Sequence, residues 1–118
     1  MQGRDQEQAG TPVPEVSSRE AWRQLSDADA QPSPVLVDVR EPWEFAQGHA
    51  RGAVNVPLSA FRERFGEIPR DRHVLVICHV GQRSMMAAKF LRQQGFPQVA
   101  NVEGGTEDWE LAGLPMER

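Results

Sequence analysis

The chain has 118 residues, 39% of them hydrophobic, and a formal net charge of −4, which suits one globular domain with a buried core and gives no basic face for nucleic acid. The longest apolar run, residues 74–78, is far below the ~18 residues of a membrane span, and the polar first residues hold no signal-peptide core, so a cytoplasmic monomer is expected. A single cysteine, Cys78, excludes an intramolecular disulfide framework, and the three scattered histidines show no zinc spacing, so no metal and no cofactor is expected.

Residues 1–11 read as a loose polar tail, and 12–118 as one domain. Residues 13–16 suit a short edge strand, because Pro14 removes a ladder donor. Ser17 and Glu20 form a capping box that predicts a helix over 18–26. Prolines at 32 and 34 break the chain. Residues 35–39, Val-Leu-Val-Asp-Val, suit a strand buried on both faces of a parallel sheet. A short helix follows over 41–47, with Pro42 in its first turn and Gly48 ending it. Residues 53–56 make another strand, stopped by Pro57, and a helical stretch starts at Ser59. Residues 73–77 are the strongest strand signal. Beyond a loop over 78–83, Ser84, Ala87, Ala88 and Leu91 mark one helix face. Gly95, Phe96 and Pro97 give a Schellman-type stop. Residues 99–102 form the last strand, Gly104 and Gly105 turn the chain, and Thr106 caps a final helix through Trp109. Alternating strands and helices predict an α/β fold with a mainly parallel sheet and helices on both faces.

Chemistry concentrates between Ile77 and Ser84. Ligands of open α/β sheets bind outside the carboxyl ends of the strands, where Cys78 falls. The helix behind it turns its unpaired N–H groups and positive dipole end toward the loop. Gly81 lets successive amides converge on one point as an anion nest. Arg83 adds a permanent positive charge. All of these favour thiolate over thiol, and so point to a nucleophile with a covalent intermediate. An inert, buried cysteine is the alternative that these neighbours argue against.

Four motifs in order resemble the rhodanese-like family: Leu36-Val-Asp-Val-Arg-Glu41 with Trp43-Glu44-Phe45; Gly48-His-Ala-Arg-Gly-Ala-Val-Asn-Val-Pro57; Cys78-His-Val-Gly-Gln-Arg-Ser84; and Val102-Glu-Gly-Gly105 with Trp109 and Ala112-Gly-Leu-Pro115. The resemblance covers about residues 13–116. It implies a five-stranded parallel sheet flanked by helices, with Cys78 carrying sulfur as a persulfide. The loop residues His79, Val80, Gly81, Gln82, Arg83 and Ser84 would then bind substrate, their amides forming the cradle. Sulfur would move from thiosulfate or a persulfide donor to a thiol or cyanide, and a protein acceptor is a further expected partner. The alternative is a sulfur-carrier module loaded by a protein partner. Four residues separate Cys78 from Arg83; family precedent ties this shorter loop to sulfur, and a five-residue loop to phosphate or arsenate.

Supporting roles stay open at this level. By resemblance, Asp38 reaches the loop through Arg83 or the loop amides; it could also cap the helix at 41. Arg40 could pair with Glu44 or bind substrate at the rim. His79 either lines the rim or faces solvent while its backbone works. His49 is read as structural on a turn, His73 as a surface residue, Trp22, Trp43 and Trp109 as packing, and Met85 and Met86 as core packing, with a place for one of them at the pocket mouth as the alternative.

Overall fold

The computed structural model describes residues 11–118. The expected N-terminal tail therefore lies outside the described residues, apart from Thr11. Five strands run parallel: β1 (Glu15–Val16), β2 (Val35–Asp38), β4 (Val54–Asn55), β5 (Val74–Ile77) and β6 (Val99–Val102), in the order β1-β6-β5-β2-β4. Two further two-residue strands, β3 (His49–Ala50) and β7 (Met116–Glu117), pair antiparallel beside this sheet. The helices are α1 (Ser18–Leu25), α2 (Pro42–Gln47), α3 (Phe61–Arg64, flanked by 3-10 turns), α4 (Gln82–Gln93) and α5 (Gly105–Leu111). β5, the strand that leads into Cys78, is the middle strand.

The middle strand β5 is apolar throughout, and its neighbours β2 and β6 are apolar but for Asp38 and Asn101, because all three are covered on both faces. Side chains alternate along a strand. Val37, Val39, Val74, Val76 and Cys78 therefore face one way, onto Phe61 of α3 and Ala87, Ala88 and Leu91 of α4. Leu36, Leu75, Ile77, Ala100 and Val102 face the other way, onto Ala21 of α1 and Trp109 of α5. Trp109 is fully buried, meets Trp22 edge-on, and donates from Nε1 to the Pro115 carbonyl at 2.8 Å. Among the described residues no helix is long and apolar enough to cross a membrane.

The α4 stop forms as expected: Phe96 N donates to Leu91 O at 3.1 Å and Gly95 N to Arg92 O at 3.0 Å, with Gly95 at φ +92°. Other expectations need correction. Ser17 caps α1 by accepting from the Glu20 amide, but the Glu20 carboxylate engages Arg23 and Gln24, so only half of the capping box is made. Gly104, not Thr106, is the N-cap of α5. His49 lies in β3 rather than on a turn, stacked on Phe45 with ring centroids 3.7 Å apart. His73 is half-buried rather than on the surface, and burial lowers its pKa. Trp43 and Met86 are not packing residues, being 65% and 62% exposed.

Trp109→Ala removes the largest fully buried side chain from the α1/α5 face. It should cost about 3–5 kcal/mol of unfolding free energy, read as a lower urea midpoint at an unchanged denaturant slope.

Candidate active site

β5 delivers Cys78 to the carboxyl end of the sheet, and the chain turns within residues 78–81 into α4. The turn depends on Gly81, the N-cap of α4, held at φ +107°, where a side chain would be strained. This conformation swings the Gly81 amide back onto the cysteine: N to Sγ is 3.1 Å. Ser84, fully buried in the first turn of α4, places its hydroxyl 3.3 Å from the same sulfur.

Amides can converge on sulfur only if the carbonyls of the same turn point elsewhere and are satisfied there. Three of them are. Cys78 O accepts from the Thr106 amide at 2.8 Å and the Thr106 hydroxyl at 2.9 Å. His79 O accepts from the Glu107 amide at 3.0 Å. Gly81 O accepts from Asn101 Nδ2 at 3.1 Å. The start of α5 thus clamps the outer side of the loop. The approach is so close that a Cβ on Gly105 would lie 2.4 Å from His79 O.

Cys78 itself is 0% exposed. Burial pushes its thiol up, but hydrogen bonds from Ser84 and from the amides of Ser84, Gly81 and Val80 more than offset this and leave it below its ordinary value. A buried sulfur with a lowered pKa, ringed by N–H groups, is built to hold negative charge.

The cations around it are engaged in ion pairs. Arg83 forks onto Glu44 of α2, Nη1 to Oε1 at 2.8 Å and Nη2 to Oε2 at 3.0 Å. That fork ties α2 to the turn after Cys78, and the Glu41 amide, donating to Glu44 Oε1 at 2.9 Å, holds the carboxylate in place. Asp38 does not reach Arg83 or the loop amides, and it does not cap α2, whose N-cap is Glu41. Its carboxylate instead accepts from the amide of Arg40 and from Nε and Nη2 of Arg40, at 2.9 to 3.1 Å. Both groups are buried, and a buried carboxylate takes the nearest cation, two residues away, before a distant one. Arg40 therefore does not pair with Glu44; its remaining Nη2 bond goes to Gly48 O at 2.8 Å.

Arg40, Trp43, Glu44, Gln47, His79 and Thr106 line a cleft of about 320 Å³ beside the loop. His79 and Gln82 are exposed, as is Val80 at 44%. The structure thus gathers Gly81, Ser84 and the Val80 amide at the sulfur, and uses His79 through its carbonyl. It places Arg40 in the cleft wall and turns Arg83 toward Glu44. Sequence reasoning missed Glu44, Thr106 and Asn101 as parts of the site. Only Asn101 left a signal, as a polar residue inside a buried strand. Among the described residues no cluster of three or more His, Cys, Asp or Glu is placed to hold a metal ion.

A family model described as a rhodanese-like domain matches residues 17–112. The chain is 38% identical over 104 residues to a sulfurtransferase of Allochromatium vinosum, covering 88% of this chain and 94% of that protein. It is 33% identical to the thiosulfate sulfurtransferase GlpE of Actinobacillus pleuropneumoniae serotype 3, covering 87% and 92%. It is 39% identical to the putative sulfur carrier protein YrkF of Bacillus subtilis over 82% of this chain, and spans about half (51%) of that protein's length. Among solved structures, the rhodanese-related protein of Thermoplasma volcanium superposes with a TM-score of 0.79 at 30% identity, over 89% of this chain and 98% of that one.

The Glu44–Arg83 pair carries a pH signature. The Arg83 guanidinium holds Glu44 down to about 2, against an ordinary 4.5. A carboxylate depressed in the folded state stabilises fully above its unfolded value and loses that contribution as pH falls through its folded one. Between about pH 4.5 and 2 the wild-type protein should therefore lose stability more steeply than Glu44→Gln. Thermal melts across that range check this; parallel profiles would mean the pair does not contribute.

Proposed function

This chain is a member of the rhodanese-like family, and from that premise we propose that it is a sulfurtransferase in which Cys78 carries one sulfur atom between a donor and an acceptor. The observation that carries the proposal is the ring of loop amides around a buried, pKa-lowered sulfur. A cradle of this kind stabilises the attacking thiolate and then the charged outer sulfur of a persulfide, the only other species the cycle needs.

With thiosulfate as donor, Cys78 thiolate attacks the outer sulfur. The new S–S bond forms as the old one breaks, and its electron pair leaves with sulfite. The enzyme then holds Cys78–S–S⁻. Cyanide or a thiolate attacks the outer sulfur, takes it as thiocyanate or as a new persulfide, and returns Cys78 as thiolate. Charge balances in both steps, and no cofactor takes part. Because Cys78 is fully buried, a donor reaches it only when the loop mouth yields. Four residues between Cys78 and Arg83 make a ring suited to one sulfur atom rather than a tetrahedral oxyanion.

Thiosulfate is supported as donor by the name of the Actinobacillus relative. A second reading rests on the match to YrkF, named a putative sulfur carrier: the domain would take sulfur from a protein partner and turn over small molecules poorly. In either reading Arg40 and the rest of the cleft wall meet the donor or acceptor, and Asp38 holds Arg40 in place.

Intact-mass measurement after incubation with thiosulfate, followed by cyanide and thiocyanate detection, separates these readings. A gain of one sulfur on wild type but not on Cys78→Ser, with steady thiocyanate release, is the expected result. A sulfur that loads and stays marks a carrier. No loading from thiosulfate or from a small persulfide, with Cys78 resistant to alkylation, would overturn sulfur transfer altogether.

A further inference from the structure

Behind the catalytic turn lies a hydrogen-bonded chain that runs across the sheet. Glu15 of β1 and Asn101 of β6 are register partners, and Asn101 is partnered in turn with Val76 of β5, two residues before the cysteine. Asn101 is fully buried. Its Nδ2 donates to Glu15 Oε2 at 3.0 Å and to Gly81 O at 3.1 Å. Both partners are obligate acceptors, so the orientation of the amide is fixed: nitrogen toward Glu15 and the loop, Oδ1 toward Ser84. Oδ1 can only accept, and the donor at hydrogen-bond distance is the Ser84 hydroxyl, 2.5 Å away.

That hydroxyl has one proton and two claimants, because Cys78 Sγ lies 3.3 Å from the same oxygen. The contact to Asn101 is much the shorter. Giving the proton to sulfur would leave a buried amide oxygen without a donor, a desolvation cost comparable to the bond gained.

We propose that Asn101 is a positioning residue for the catalytic turn: its Nδ2 ties down the Gly81 carbonyl, and its Oδ1 takes the Ser84 proton, so that Ser84 meets the cysteine sulfur with a lone pair. Ser84 then accepts the S–H of a resting thiol; the hydroxyl bond counted above among the groups that lower the thiol is given instead to Asn101, and negative charge on Sγ rests on the amides. The functional meaning depends on the sulfur-transfer reading above. Once a second sulfur is attached, Sγ is a neutral bridging atom that tolerates the lone pair, and the charge has moved to the outer sulfur. The arrangement therefore favours charge at the transferred atom over charge at the carrier. The charged side chains around the turn are the closed pairs Arg83–Glu44 and Arg40–Asp38, with Glu15 behind Asn101 and His79 exposed on the loop.

The test is a double-mutant cycle on the thiol alone, needing no sulfur donor: Ser84→Ala, Asn101→Ala and the double variant, each titrated by thiolate absorbance and by the pH dependence of alkylation. With Asn101 present, Ser84→Ala should move the Cys78 pKa by no more than a few tenths of a unit. In the Asn101→Ala background the hydroxyl is released to the sulfur, and the same change should raise the pKa by about one unit or more. Any loosening of the Gly81 carbonyl is common to both proteins that carry Asn101→Ala and cancels. An equal rise in both backgrounds would overturn the assignment, since the proton would already be on the sulfur. Should Asn101→Ala not fold, Ser84→Ala alone decides: little shift upholds the proposal, and a rise of about one unit refutes it. Failure here would leave sulfur loading untouched, so the two proposals fail separately.

Discussion

Each peptide of the turn between β5 and α4 has two polar ends, and both must be satisfied inside the protein. The amides of Val80, Gly81 and Ser84 converge on one sulfur, while the carbonyls of residues 78, 79 and 81 in the same turn point outward and have to be received there. Thr106, Glu107 and Asn101 receive them. Two requirements on glycine follow. Gly81 must adopt a positive φ for the turn to close, and Gly105 must lack a Cβ for α5 to approach the carbonyls. The parallel sheet supplies the frame: β5 brings the cysteine to the centre, β6 sets Asn101 beside it, and the connection after β6 leads straight into α5. The site is therefore a product of backbone geometry before it is one of side-chain chemistry.

The electrostatics follow the same logic. Arg83 lies near the cysteine and Arg40 in the wall of the adjoining cleft, and each is held by a carboxylate within about 3 Å. Their net charges are largely cancelled locally, which leaves the hydrogen-bonding groups around the sulfur, Ser84 and the loop amides, to offset the cost of its burial. Dipoles fixed by the fold need no reorganisation when charge shifts from the cysteine to an outer sulfur and back. The ion pairs serve the shape of the site: one anchors α2 to α4, and the other fixes the cleft wall through Gly48.

Much of this was legible in the sequence. The apolar runs at 35–39, with one acid near its end, and at 74–78 announced strands covered on both faces, and the residue types from Cys78 to Ser84 announced a turn aimed at an anion. What stayed hidden was pairing across long sequence separations. Glu44 and Arg83 are 39 residues apart, and Glu15 and Asn101 are 86 apart; no local periodicity connects either pair. Asp38 was placed on the wrong partner because a buried carboxylate is satisfied locally, by its own i+2 arginine, before it reaches across a loop. β3 and β7 escaped because two residues are too few for an alternation to register. Trp43 was misread because aromatic character alone does not distinguish a core residue from one on the rim of a cleft.

The central claim is that the amides of the turn into α4 hold the transferred sulfur. A crystal structure of the protein soaked in thiosulfate at neutral pH tests it most directly. The account predicts an extra sulfur bonded to Cys78 Sγ, within hydrogen-bonding distance of at least two loop amides, with the carbonyls of residues 78, 79 and 81 still bound to Thr106, Glu107 and Asn101. An extra sulfur turned out into solvent away from the amides, or a loop whose carbonyls have let go to admit it, would contradict it.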